Sequence, residues 1–323
     1  MKRIARFISI LLVTILLAFP LNACQKKTQE DITGQLEGTI TISGAFALYP
    51  MMQRWAEEFT KANPRVNFDI SAGGAGKGMT DALAGAVDIG MVSRDVTSDE
   101  EAKGAFAIPV VKDAVFPTIS DKNPVLTEIL AKGVTQETFI GIFVTGETKT
   151  WGQVVSKPEI TDEIHVYTRS DSCGAAEVWA KYLGNKKQED LLGIGISGDP
   201  GLLDAVVKDP LGIGFNNLNY AYDSASGKPV SGAVTVPIDG NVNGAADLDE
   251  LLETKSEAVA MVANGKYPSP PARPLNLVTK GKPTGLTLAF IQWVLADGQK
   301  YIDEVGYIQL SSDMLEAAIE KIK

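Results

Sequence analysis

Apolar residues along this chain recur with two spacings, and the switches between them divide most of it into alternating strands and helices. Gly38 to Ser43 alternates β-branched residues with others and stops at Gly44, which predicts a strand running into a turn. From Tyr49 to Lys61 the period changes. Met52, Trp55, Ala56 and Phe59 fall on one helical face and Pro50 sits near the first turn, so this stretch is an expected amphipathic helix. Val66 to Ile70 predicts a strand, Met79 to Ala86 a short helix, and Val87 to Val92 a buried strand. Ala107 to Val115 is a further apolar strand carrying Asp113, and Pro117 to Pro124 reads as a crossing segment into different territory. Beyond it the pattern predicts a helix over Thr138 to Phe143, a strand over Ile164 to Thr168, a helix over Glu177 to Leu183 and a doubly buried strand over Leu211 to Phe215. Tyr267 to Pro274 holds four prolines, too rigid for a helix and well placed to return the chain to its first lobe. Thr284 to Leu295 is the last clear helix before a turn at Gly306-Tyr307. Such alternation implies βαβ units and largely parallel sheets.

The start of the chain follows neither spacing. Lys2, Arg3 and Arg6 precede an apolar run from Ile8 to Phe19, and Leu21-Asn22-Ala23 stands directly before Cys24. The run is shorter than the roughly 20 residues a membrane-spanning helix needs, so residues 1–23 read as a signal peptide. A small residue before cysteine is similar to the lipobox of bacterial lipoproteins, which makes Cys24 the expected lipidation site and membrane anchor. Residues 24–37 read as a flexible tether.

Charge narrows the range of partners. Removing the three leader cations from 30 Lys and Arg leaves 27 against 40 Asp and Glu, a net charge of −13, so a nucleic-acid partner is not expected. With Cys173 as the other cysteine and His165 as the sole histidine, neither a disulfide nor a His/Cys metal cluster is expected. No nucleophile with its base is visible, so the chain reads as a non-enzyme without cofactor or metal.

Three glycine-punctuated turns carry the candidate chemistry. Each precedes a helical pattern: Ser43-Gly44-Ala45-Phe46-Ala47, Ala72-Gly73-Gly74-Ala75-Gly76, and Arg169-Ser170-Asp171-Ser172-Cys173-Gly174. Free N–H groups and the positive end of the helix dipole make such turns anion sites, and glycine lets the backbone approach a ligand closely. Arg169, at a strand end, suits a bidentate grip on an oxyanion. Asp95 reads either as an acceptor for the proton of a protonated oxyanion or as a partner for Arg94. Lys77 after Gly76 does not complete a nucleotide-binding loop, because Ser71 and Gly78 stand where glycine and Ser/Thr are needed. Trp151 and Trp179 read as packing anchors and His165 as a satisfied strand residue. Cys173, near a helix start, is expected to have a lowered pKa without being a nucleophile.

In order and spacing, several segments resemble the periplasmic phosphate-binding proteins of ATP-driven importers over most of the chain. They are Ile42-Ser43-Gly44 with Leu48-Tyr49-Pro50, Asp88-Ile89-Gly90-Met91 with Ser93-Arg94-Asp95, Thr145-Gly146 with Trp151, Arg169 with Gly174, Gly212-Ile213-Gly214-Phe215, and Arg273-Pro274-Leu275 with Lys280-Gly281-Lys282-Pro283. The resemblance implies a type II two-lobe α/β fold, each lobe a mixed, mainly parallel sheet flanked by helices, with two crossing hinge strands. It places residues 38–115 with 271–323 in one lobe and 116–270 in the other. It also implies an interlobe cleft that closes on phosphate or a similar anion, with a permease and an ATPase as partners. Its ligand-binding set maps onto Ala45, Phe46, Ala47, Gly74, Ala75, Gly76, Ser93, Arg94, Asp95, Arg169, Ser172, Cys173, Gly174 and Ala175. Phe46, Ala47, Ala75, Cys173 and Ala175 differ from the hydroxyl residues usual in that family. Alternatives are a different anion, such as a small carboxylate or an organophosphorus compound packed on Phe46, and an extracellular sensor on the same fold.

Overall fold

The computed structural model describes residues 35–323, so the leader and Cys24 lie outside the described residues. Within them ten strands form two sheets of five. The first sheet has the order β2 (Arg65–Ala72), β1 (Glu37–Gly44), β3 (Ile89–Val92), β10 (Arg273–Lys280), β4 (Ala105–Asp113). The second has the order β7 (Ile194–Ile196), β6 (His165–Arg169), β8 (Gly212–Asn217), β5 (Val115–Ser120), β9 (Ala233–Thr235). β1 runs parallel to both neighbours, whereas β10 enters from the other lobe and runs antiparallel to β3 and β4. The second sheet repeats the arrangement, with β6 parallel to both neighbours and β5 antiparallel to both of its own.

Each sheet has its own core. The helix Tyr49–Ala62 buries Met51, Met52, Trp55, Ala56 and Phe59 against the first sheet, and Phe59 meets Phe290 edge to face at 5.2 Å. In the second lobe Trp179 stacks on Phe215 at 5.9 Å, and Trp151 donates Nε1–H to the Leu211 carbonyl at 3.1 Å. Both tryptophans are fully buried packing anchors, as their place in the pattern predicts.

The crossing between lobes is sharper than the prolines imply. β4 ends at Asp113 and β5 begins at Val115, leaving Ala114 alone between them. Pro117 to Ser120, expected in a connection, is part of β5, whose six residues are all buried in the second sheet. The return crossing lies alongside: Tyr267 donates its hydroxyl to the Val115 carbonyl at 2.7 Å, and Arg273 enters β10 opposite Asp113. Two further departures concern helices. The helix expected at Met79 begins at Ala75, and Ser312–Ile322 forms an eleven-residue helix beyond the one expected to be last.

Candidate functional site

All three glycine turns sit where a strand of parallel pairing ends and a helix begins. β1 leads into Phe46–Leu48 and then Tyr49–Ala62, β2 into Ala75–Ala84, and β6 into Gly174–Tyr182. In open α/β sheets this edge is where ligands settle. Among the described residues, the main-chain N–H groups of Phe46, Ala47, Ala75, Gly174 and Ala175 have no hydrogen-bond acceptor within the protein. They are the orphan donors that a helix start leaves.

The turns of opposite lobes touch. Gly76 donates its N–H to the Ser172 carbonyl at 3.0 Å, and Tyr220 donates its hydroxyl to the Phe46 carbonyl at 3.3 Å. Glycine is required for this fit. Gly74 has φ +90°, and a Cβ there meets the Ser172 carbonyl oxygen at 2.6 Å; a Cβ on Gly174 meets the Ser93 carbonyl oxygen at 2.2 Å.

Arg169 lies at the centre of this junction, 4% exposed. Its Nε and Nη2 donate to the two oxygens of Asp171 at 2.8 and 2.7 Å, and Nη1 donates to Asp199 at 2.7 Å. Three of the five guanidinium N–H groups are thereby engaged and two remain for a ligand. Burial works against the charge, but the carboxylates of Asp199 and Asp171 overcome it and hold the pKa above the ordinary arginine value. The Phe46 ring, reaching over from the first lobe, lies 5.5 Å from the guanidinium carbon in a cation–π contact.

A buried polar chain runs from here to the hinge. Asn217 donates to Asp199 and accepts from Arg273, whose Nη1 donates to Asp113 at 3.1 Å and whose Nε donates to the Ser93 carbonyl at 3.2 Å. Sequence reasoning missed Asp199 as a partner of Arg169, since thirty residues separate them, and Asp171 lay unremarked inside its own turn. The spacing Arg-x-Asp at a strand end was the available signal.

Burial pushes the Asp113 carboxyl up to about 6, against the opposing pull of Arg273. The folded state therefore holds that proton more tightly than the unfolded chain, whose value is near 3.8. The stability this contributes is complete below pH 4 and is lost as pH rises through about 6. Relative to Asp113→Asn, the wild type is expected to lose up to roughly 3 kcal/mol between pH 4 and 8. Denaturant titrations of both proteins across that range check it; parallel pH profiles would contradict it.

The remaining candidates fall into two groups. Ala45, Phe46, Ala47, Gly74, Ala75, Gly76, Ser93, Ser172, Gly174 and Ala175 belong to the turns that meet at the junction, and Ser93 is buried there. Arg94 and Asp95 point elsewhere. Arg94 is bidentate on Glu100 at 2.7 and 2.9 Å and reaches Glu177 at 3.0 Å. The Asp95 side chain is 74% exposed and pairs with Lys181 at 2.8 Å, so its carboxylate lies on the rim. Cys173 corrects an expectation. Its thiol is buried and accepts the Ala176 N–H at 3.3 Å as a helix cap, and burial pushes its pKa up to about 12 instead of lowering it. His165 is held by Asp209 at 2.7 Å in the second lobe.

A family profile described as the PBP superfamily domain matches residues 29–298. Protein SphX of Synechococcus elongatus is 28% identical over 298 residues, covering 88% of this chain and 81% of its own. The phosphate-binding protein PstS of Bacillus subtilis is 27% identical over 292 residues, covering 89% and 86%. Among solved structures, one from Clostridium perfringens with bound phosphate, described as a phosphate ABC transporter substrate-binding protein, superposes with a TM-score of 0.68. It is 23% identical and covers 85% of this chain and 100% of its own.

Proposed function

Because the chain belongs to the PBP superfamily, we propose that it is the exported substrate-binding subunit of an ATP-driven phosphate importer. The observation that carries the reading is Arg169: a permanently charged, buried guanidinium with two N–H groups to spare, set where three turns with free main-chain donors converge. Phosphate entering the open cleft meets these donors, and the lobes, 38–115 with 271–323 and 116–270, close about Ala114 and the return crossing. Closure excludes water, and each hydrogen bond to the charged ligand then contributes about 1.5–3 kcal/mol. Four such bonds suffice for micromolar affinity, near 8 kcal/mol. Main-chain N–H groups thus do the work of the hydroxyls that Phe46, Ala47, Ala75 and Ala175 lack. The Asp171 carboxylate, beside Arg169, is placed to favour a protonated oxyanion, a role the rim position denies to Asp95. Phe46 lies against Arg169, which favours an inorganic anion over an organic one packed on that ring.

No helix among the described residues is long and apolar enough to cross a membrane. The leader and Cys24 supply attachment instead, through a lipid on the cysteine, so that the closed lobes dock on the permease at the outer face of the membrane. Deleting the gene in its own host is expected to abolish high-affinity uptake of labelled phosphate, restored by the wild type but not by Cys24→Ser released from the membrane fraction. Uptake undiminished by deletion would sink the transport role.

A further inference from the structure

Between β9 and the helix Lys255–Ala263, the second lobe carries a loop that the anion chemistry does not use. Residues 239–250 read Asp239-Gly240-Asn241-Val242-Asn243-Gly244-Ala245-Ala246-Asp247-Leu248-Asp249-Glu250. We propose that this loop binds one calcium ion. It has side-chain oxygens at positions 1, 3 and 5, glycine at 6, a main-chain carbonyl at 7, aspartate at 9 and glutamate at 12. This is the complete pattern of a twelve-residue calcium loop, in which each position has a set task. With ordinary amino-acid usage, its five defining positions match by chance in roughly one chain of this length in a thousand.

The fold supplies an independent reason for a cation. Asp239 is 3% exposed, yet its carboxylate receives only the N–H groups of Asn243 and Gly244, at 3.1 and 3.0 Å. Its hydrogen-bond partners among the described residues are main-chain N–H groups and include no Lys, Arg or His, and a buried carboxylate without a cation is costly. Asp247 and Glu250 likewise have no basic partner there. The Asp247 Oδ2 instead accepts from the side-chain amides of Asn241 and Asn243, at 2.7 and 2.9 Å. Those amide nitrogens occupy the place of positive charge beside Asp247, while their Oδ1 atoms accept the N–H groups of Asn243 and Ala245 at 3.0 and 2.8 Å and each keeps a lone pair for an ion.

Positions the pattern leaves out of the ligand set face elsewhere. Asp249, at position 11, pairs with Lys266 at 2.7 Å, and Leu248, at position 10, is 91% exposed. Gly244, at position 6, has φ +77°, the conformation the sharp turn needs. No group of three His, Cys, Asp or Glu side chains among the described residues stands ready to hold a metal ion. Asp239, Asp247 and Glu250 are therefore drawn together when calcium enters, with the Asn241 and Asn243 side-chain oxygens and the Ala245 carbonyl completing the set.

The loop is tied to the body of the second lobe at positions 1 and 8: Asp239 donates its N–H to the Val134 carbonyl and Ala246 to the Ala131 carbonyl, at 3.2 and 2.9 Å. Calcium here therefore fixes the approach to the helix whose Lys255 donates to the Val305 carbonyl of the first lobe at 2.9 Å.

The test is a calorimetric titration of the EGTA-stripped protein with calcium chloride, paired with thermal unfolding. One equivalent is expected to bind with Kd at or below about 1 mM, as in extracellular modules, and to raise Tm. Magnesium should bind at least tenfold more weakly. Glu250→Gln is expected to weaken calcium binding at least tenfold, whereas Asp249→Asn leaves it unchanged. The absence of both heat and a Tm shift at about 10 mM calcium overturns the proposal. So does calcium binding that Glu250→Gln leaves intact. Glu250 is half-buried, so its variant is expected to fold even where Asp239→Asn does not.

Discussion

Arg169→Ala is expected to weaken phosphate binding roughly a hundred- to ten-thousand-fold, because two charge-assisted hydrogen bonds of about 1.5–3 kcal/mol each are lost. The same change removes the cation that compensates Asp199, a side chain with no exposure. Breaking a buried pair by deleting one partner costs about 3–5 kcal/mol, a large part of a domain's stability. The two effects separate in the double variant Arg169→Ala, Asp199→Asn. Neutralising Asp199 should return much of the lost stability, read by urea titration, and none of the affinity, read by calorimetry. A single variant as stable as the wild type that still holds phosphate would show that the guanidinium serves neither purpose.

Gly174→Ala is expected to prevent closure without unfolding either lobe. The residue opens the helix Gly174–Tyr182 and has no positive φ, so alanine suits its own backbone. The added Cβ, however, meets the Ser93 carbonyl oxygen of the other lobe at 2.2 Å and its carbonyl carbon at 2.5 Å. Backbone on both sides of this contact leaves no cheap relief, so the lobes must stand apart. Affinity should fall by about 3 kcal/mol or more, over a hundredfold, if at least two bonds depend on closure. The radius of gyration in saturating phosphate should stay at its ligand-free value, with Tm nearly unchanged. Gly76→Ala gives an internal comparison. Its Cβ meets the Ser172 hydroxyl at 2.3 Å and the Ser172 Cβ at 2.6 Å, and the latter is fixed to the backbone, so a comparable loss is expected. Wild-type affinity in Gly174→Ala would mean that binding does not require this contact.

What the sequence revealed was chiefly what local physics determines. Apolar period and glycine position located the three strand-turn-helix units, because each is specified within a dozen neighbouring residues. Pro117 misled, since a proline usually argues against a central strand; here it lies two residues into β5, opposite Phe215. The helix Ser312–Ile322 went unread although Leu315, Ala318, Ile319 and Ile322 mark one face. The electrostatics of the site were less legible. Proximity to a helix start suggested a low pKa for Cys173, but burial dominates, and burial depends on the whole lobe. Asp95 follows Ser93 closely in sequence, yet it ends on the rim because Lys181 of the other lobe meets it there. Asp199 reaches Arg169 only through tertiary packing. By contrast, the 239–250 loop is legible residue by residue, with oxygen ligands that a survey for histidine and cysteine passes over.

Calorimetric titration of the wild-type protein with inorganic phosphate, after unfolding and refolding to remove any retained ligand, addresses the central claim most directly. The account predicts a single site with micromolar or tighter affinity. Absence of heat at millimolar phosphate, from protein shown to be folded, would contradict it.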